Sequence, residues 1–147
     1  EAKVAPAKVA PAKVAPAAKR PPAKVKPASL DYDGLLVQGR RELLKGRASE
    51  ALGFYEEAVK RKPGSAEALS GMGWSYLKLR KPHVGVVKFD QALKRNPRYG
   101  DAYIGLGQAH RTMGAPDKSV EAYKRYLNLH PKGPSAKAAR RALRRWP

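Results

Sequence analysis

From Leu30 onward, apolar and polar residues alternate with a helical period. Within Ala66–Leu79, the apolar residues Leu69, Met72, Tyr76 and Leu79 recur three or four residues apart, which is one face of an amphipathic helix. The pattern restarts at Pro82, with Val86, Phe89, Ala92 and Leu93 as the next stripe. The punctuation agrees with this reading. Ser65 suits an N-cap, and Glu67 suits the positive end of a helix dipole. Pro82 suits a first helical position, where no amide donor is needed. Lys94 and Arg95 suit a last turn, and Pro97 follows the helix end.

A longer period overlies the helical one. Gly39, Gly73 and Gly107 are spaced by 34, and so are Pro63, Pro97 and Pro131. Tyr55, Phe89 and Tyr123 keep this register, as do Ala58, Ala92 and Tyr126, and Leu35, Leu69 and Tyr103. Five columns that agree over three copies without a gap indicate a repeat architecture, in which each unit buries its apolar face on its neighbours.

The residues in these columns resemble the tetratricopeptide repeat family. The second copy carries Leu69, Met72, Gly73, Tyr76, Gly85, Phe89, Ala92 and Pro97. The third carries Tyr103, Leu106, Gly107, His110, Ser119, Tyr123, Tyr126 and Pro131, and the first Leu35, Gly39, Ala51, Tyr55, Ala58 and Pro63. The resemblance covers residues 32–133. It implies an all-α fold: a right-handed α-solenoid of three helix–turn–helix repeats at 32–65, 66–99 and 100–133. Gln38 and Glu42 stand where later copies have Met72/Tyr76 and Leu106/His110, which suits a terminal repeat with no neighbour on that side. Gly85 and Ser119 replace the usual alanine but stay small. Arg80 stands where the other copies have Gly46 and Gly114. Residues 134–147 are expected to form a capping helix started by Ser135, with Ala136, Ala139, Leu143 and Trp146 on its inner stripe.

Residues 1–31 break the pattern. The pentapeptide AKVAP runs three times from Ala2 to Pro16, and prolines recur at 6, 11, 16, 21, 22 and 27. Proline lacks an amide donor and disfavours helix before it. With no aromatic residue to build a core, the segment is expected to be disordered, extended and partly polyproline-like. We read it first as a charged spacer and second as an anion-gripping arm.

Charge sharpens this division. The net charge is +19; residues 1–30 carry seven bases and one acid, and residues 134–147 five bases and none. Such a surface favours anionic partners without choosing among them. The absence of cysteine excludes disulfides and thiol chemistry. No apolar run approaches the ~20 residues of a bilayer span. Composition rich in Ala, Arg, Gly, Pro and Val suggests a bacterial source, and the compartment, cytoplasm or cell envelope, stays open. Similar bacterial proteins place such repeats behind other domains, so the spacer is expected to tether the array to a larger protein.

Catalysis finds no foothold. His83, His110 and His130 form no metal-binding spacing, no cofactor is expected, and first-turn acids such as Asp33, Glu67 and Asp101 are explained by helix dipoles. The family's groove, lined by the first helix of each repeat, implies partner-binding positions by register. These are Leu36, Arg40 and Leu43 (with Asp33 and Leu44 beside them), then Ser70, Trp74, Leu77 and Lys78 (with Glu67), then Ile104, Gln108 and Arg111 (with Asp101 and Thr112). Trp74 lies off the packing stripe and is read as a groove anchor; the alternative is that it packs on Leu36 or Leu77. With Leu36 and Ile104 it would form an apolar floor flanked by Arg40, Lys78 and Arg111. The carboxylate clamp of chaperone-binding members does not match, because its places hold Leu36, Arg40, Gly71, Asp101 and Gly105. The expected function is a monomeric, non-catalytic interaction module for a peptide or protein with apolar anchors and some negative charge. The alternative is an anionic-polymer binder, gripping nucleic acid or an envelope polymer through the arm and Arg140, Arg141, Arg144 and Arg145.

Overall fold

A computed structural model describes residues 24–146. Seven α-helices follow a 3-10 turn at Pro27–Ser29: α1 (Tyr32–Leu44), α2 (Ala48–Arg61), α3 (Ala66–Lys78), α4 (Pro82–Arg95), α5 (Gly100–Thr112), α6 (Pro116–Leu129) and α7 (Ala136–Arg144). No strand occurs among the described residues. Each helix packs on the next in sequence, and α1 touches α3 as α3 touches α5. The even helices make no comparable mutual contact, so the odd helices lie on the inner, concave side of the curved stack.

The helix starts follow from their capping residues. Asp31 Oδ1 accepts from the Gly34 amide at 2.8 Å, and Ser65 Oγ accepts from the Ala68 amide at 3.0 Å. Each bond satisfies an amide that has no intrahelical partner. Pro82 and Pro116 open α4 and α6. The three turns between the helices of a repeat share one geometry: Gly46, Arg80 and Gly114 all have left-handed backbone, with φ of 76°, 61° and 71°. In each, the following amide reaches back to a carbonyl of the last helical turn, as Lys81 does to Tyr76 at 2.9 Å. Arg80 therefore keeps the turn its glycine counterparts make, at the steric cost of a Cβ in that region.

Ring-on-glycine contacts set the stacking. A Cβ on Gly39 would lie 2.8 Å from the Tyr55 ring, and one on Gly71 would also enter that ring. Phe89 is held in the same way between Gly73 and Gly105, and Tyr123 rests on Gly107. Tyr55 and Phe89 thus each face a glycine of their own repeat and, sixteen residues later, a glycine of the next. Ala139, wholly buried on α7, stands sixteen residues after Tyr123 and takes that place by register. Gly85 and Ser119 serve a second close approach: a Cβ at Gly85 would lie 3.1 Å from the Gly73 carbonyl oxygen, and Ser119 Oγ donates to the Gly107 carbonyl at 2.7 Å.

Both ends differ from expectation. The part of the expected disordered segment up to residue 23 lies outside the described residues. From Pro27 onward the chain is held on the first repeat: the 3-10 turn contacts α2, Arg61 Nη2 donates to the Ala28 carbonyl, and Leu30 packs among Leu35, Phe54 and their neighbours. At the other end, α7 covers nine residues rather than the whole of 134–146. Ser135 makes no side-chain cap; instead its amide donates to the Tyr126 hydroxyl at 3.0 Å. Trp146 lies beyond the helix end and is exposed, because the apolar stripe of α7 closes at Leu143.

Candidate binding groove

The odd helices run side by side, so residues 34 apart come together on the concave face. Between α1, α3 and the start of α5 lies a cavity of about 520 Å³. Tyr55, Trp74, Tyr99 and Leu43 form its apolar walls, while Arg40, Glu67 and Asp101 supply its charge.

Two polar links join neighbouring repeats. Arg40 Nη2 donates to Glu67 Oε1 at 2.8 Å, an exposed ion pair between α1 and α3. One repeat further on, Trp74 Nε1 donates to Asp101 Oδ2 at 2.7 Å, and Ser70 Oγ donates to the same oxygen at 2.6 Å. Both links join equivalent positions, since 40 and 74 share one column and 67 and 101 another. Trp74 also meets Phe89 edge to face, with ring centroids 5.5 Å apart. Burial raises the Tyr55 hydroxyl to about 12, and burial also raises that of Tyr99; Glu67 and Asp101 reinforce both shifts. Both phenols are therefore neutral hydrogen-bonding groups at ordinary pH.

The expected site residues divide into three groups. Arg40, Leu43 and Trp74 line the cavity, and Ser70 lies beneath it holding Asp101. Lys78 and Arg111 are exposed toward the C-terminal ends of α3 and α5, with Gln108 half-buried nearby. Leu36 and Ile104 are each only 8% exposed and pack into the core, so they do not form the apolar floor with Trp74. Leu77 is half-buried against α4, where it lies beside Gly85. Trp74 packs on Phe89 rather than standing free. The tyrosine walls are absent from the positions implied by register. Tyr55 belongs to a packing column, yet the glycines on either side let its ring edge reach the groove. Tyr99 occupies the column of the caps Asp31 and Ser65 without capping α5; an aromatic residue in a capping column was the available signal.

A second cavity, of about 550 Å³, lies between α4, α5 and α6, with Asp90, His110, Lys118, Glu121 and Arg125 around it. His110 Nδ1 is buried without a hydrogen-bond partner. Burial, then the Lys118 charge, lowers its pKa, while Asp90 and Glu121 oppose this. No group of side chains suited to a metal ion occurs among the described residues, nor any helix long and apolar enough to cross a membrane. Arg140, Arg141, Arg144 and Arg145 are all exposed at the end of the stack, and Arg140 donates to the Pro131 carbonyl at 2.7 Å.

Comparison with known proteins assigns the architecture. Residues 70–134 match the tetratricopeptide repeat model. The TPR2B domain of yeast Sti1, in its pHsp70 complex, superposes with a TM-score of 0.71 at 19% identity, covering 76% of this chain and 91% of that one. The Arabidopsis OM64 TPR domain gives 0.70 at 20% identity, covering 78% and 94%. The first TPR of Spaghetti (RPAP3), bound to the HSP90 peptide SRMEEVD, gives 0.66 at 22% identity, covering 79% and 95%. No curated protein matches the chain in sequence. The fold is a tetratricopeptide solenoid.

Proposed function

We propose that this tetratricopeptide solenoid is a non-catalytic interaction module that holds an extended segment of a protein partner along its concave face. The observation that carries the reading is Trp74: a half-buried indole, fixed by Asp101 and Phe89, opening on a cavity with Tyr55, Tyr99 and Leu43. A preformed aromatic wall with few rotamers left to freeze is the usual setting of a binding hot spot. The likeness to the first TPR of Spaghetti, bound to an HSP90 peptide, lends support at the level of the fold. The partner's apolar anchors lie along the concave face beside this aromatic wall, and its negative charge faces Lys78 and Arg111. Residues 1–31 act as a charged spacer that sets reach.

A second reading rests on α7. Lys137, Arg140, Arg141, Arg144 and Arg145 are exposed, and no ion pair to any of them occurs among the described residues. Such a row suits phosphate groups or another anionic polymer, with steep salt dependence.

Affinity capture with the full chain separates the two. Under the groove reading, Trp74→Ala loses the partner at fixed salt, while Arg140→Glu/Arg144→Glu retains it. Capture that ignores Trp74→Ala but disappears with nuclease or raised salt would instead establish the polymer reading.

A further inference from the structure

The groove's ion pairs do not repeat with its fold. At the first step, Glu67 faces a guanidinium, that of Arg40 at 2.8 Å. At the second step, Asp101 occupies the position of Glu67, and Trp74 that of Arg40. Asp101 therefore receives two neutral donors, both on Oδ2, and no cation pairs with it among the described residues. The cavity has two carboxylates against one guanidinium, inside walls of Tyr55, Trp74 and Tyr99.

We propose that this cavity is the pocket for a cationic side chain, a lysine or arginine of the partner's extended segment, paired with Asp101 against the faces of Trp74 and Tyr99. This rests on the groove reading above and adds the chemistry of its central contact. A guanidinium or ammonium gains a charge-assisted hydrogen bond to the carboxylate and a cation–π contact with the rings. The Arg40–Glu67 pair provides an internal example of the first contact on the same face. The positive chain repels a cation at a distance, but exposed charges are screened beyond ~8 Å at physiological ionic strength. The contact inside the pocket then decides. With Lys78 and Arg111 toward the other edge of the groove, a bound segment would run with its cation at the α3 and α5 N-terminal side and its acids at the C-terminal side.

Trp74 reports on its own pocket once the second tryptophan is removed. The full chain carrying Trp146→Phe is titrated, by tryptophan fluorescence, with peptides Ala-Pro-Ala-X-Ala-Pro-Ala in which X is Arg, Lys, citrulline or Glu. The proposal expects saturable changes with Arg and Lys, at least tenfold weaker binding of citrulline and Glu, and loss of that preference in Asp101→Asn. This variant keeps an oxygen acceptor for Trp74 and Ser70, and circular dichroism checks its fold. Equal binding of Arg and citrulline, or preference for Glu, overturns the cationic pocket and leaves the groove reading standing. No response to any of the four also overturns the cationic pocket, while the groove reading stands or falls on the Trp74→Ala capture.

Discussion

Exchange of one glycine for alanine should have opposite effects at two places in this array. Gly105 lies in the middle of α5, where helix propensity alone favours alanine by about 1 kcal/mol. A Cβ there would enter the Phe89 ring, which is wholly buried. The ring cannot retreat, because on its other face a Cβ-sized gap is already closed: an added Cβ at Gly73 would meet Phe89 at 2.7 Å. Overpacking a well-filled core costs about 1–3 kcal/mol, and a ring pinned on both faces belongs at the upper end. Net destabilisation of Gly105→Ala is therefore about 1–2 kcal/mol, a fall in Tm of roughly 3–10 °C. Gly53, in α2, has nothing within 4 Å of its added Cβ, so Gly53→Ala should gain about 1 kcal/mol. Thermal and urea unfolding, followed by far-UV circular dichroism, measure both. Phe89→Leu should relieve part of the Gly105→Ala penalty, with a coupling energy of about 1 kcal/mol in the double-mutant cycle. If Gly105→Ala raises Tm as Gly53→Ala does, the ring-on-glycine account of the stacking is wrong.

Other consequences are open to the same assays. Arg80→Gly should stabilise by roughly 0.5–1 kcal/mol, because the relief of left-handed strain exceeds the added entropy of the unfolded chain; unfolding curves with unchanged m-values would show it. Asp31→Ala should cost about 1 kcal/mol by loss of a cap, and Ser65→Ala more by denaturant titration, since Ser65 Oγ also shares a hydrogen bond with the Tyr32 hydroxyl. His110 binds its proton less readily when folded than when unfolded, so its contribution is complete above about pH 6.5 and is lost as pH falls toward the lowered folded value. His110→Leu should flatten that part of the stability–pH profile, and a slope unchanged by the substitution would place its origin elsewhere.

The repeat was legible because its constraints are local or strictly periodic. Caps such as Asp31 and Ser65 act within three residues, and the columns of Gly39, Tyr55 and Pro63 return every 34 residues. The groove was legible only in outline. Register names a set of inward-facing positions, but burial differs among them: Leu36 and Ile104 are consumed by the core, whereas Leu43 and Trp74 open on the cavity. Tyr55 shows the converse, a buried core residue that also lines the cavity, its ring set between Gly39 and Gly71. Ser135 holds the expected N-cap position of α7 but makes no side-chain cap there, and Trp146 misses its expected place because α7 ends two residues before it; side-chain pattern alone sets helix ends loosely.

By itself, then, the sequence determined an all-helical array, its phase, its turns and its excess of positive charge, since propensity, capping and a repeated hydrophobic stripe are properties of neighbours along the chain. Only the tertiary structure decided which groove residues remain free and which are paired. Arg40 meets Glu67 and Trp74 meets Asp101 across 27 residues, a separation that neither helical period contains. It becomes a 2.7–2.8 Å contact only when one repeat stacks on the next.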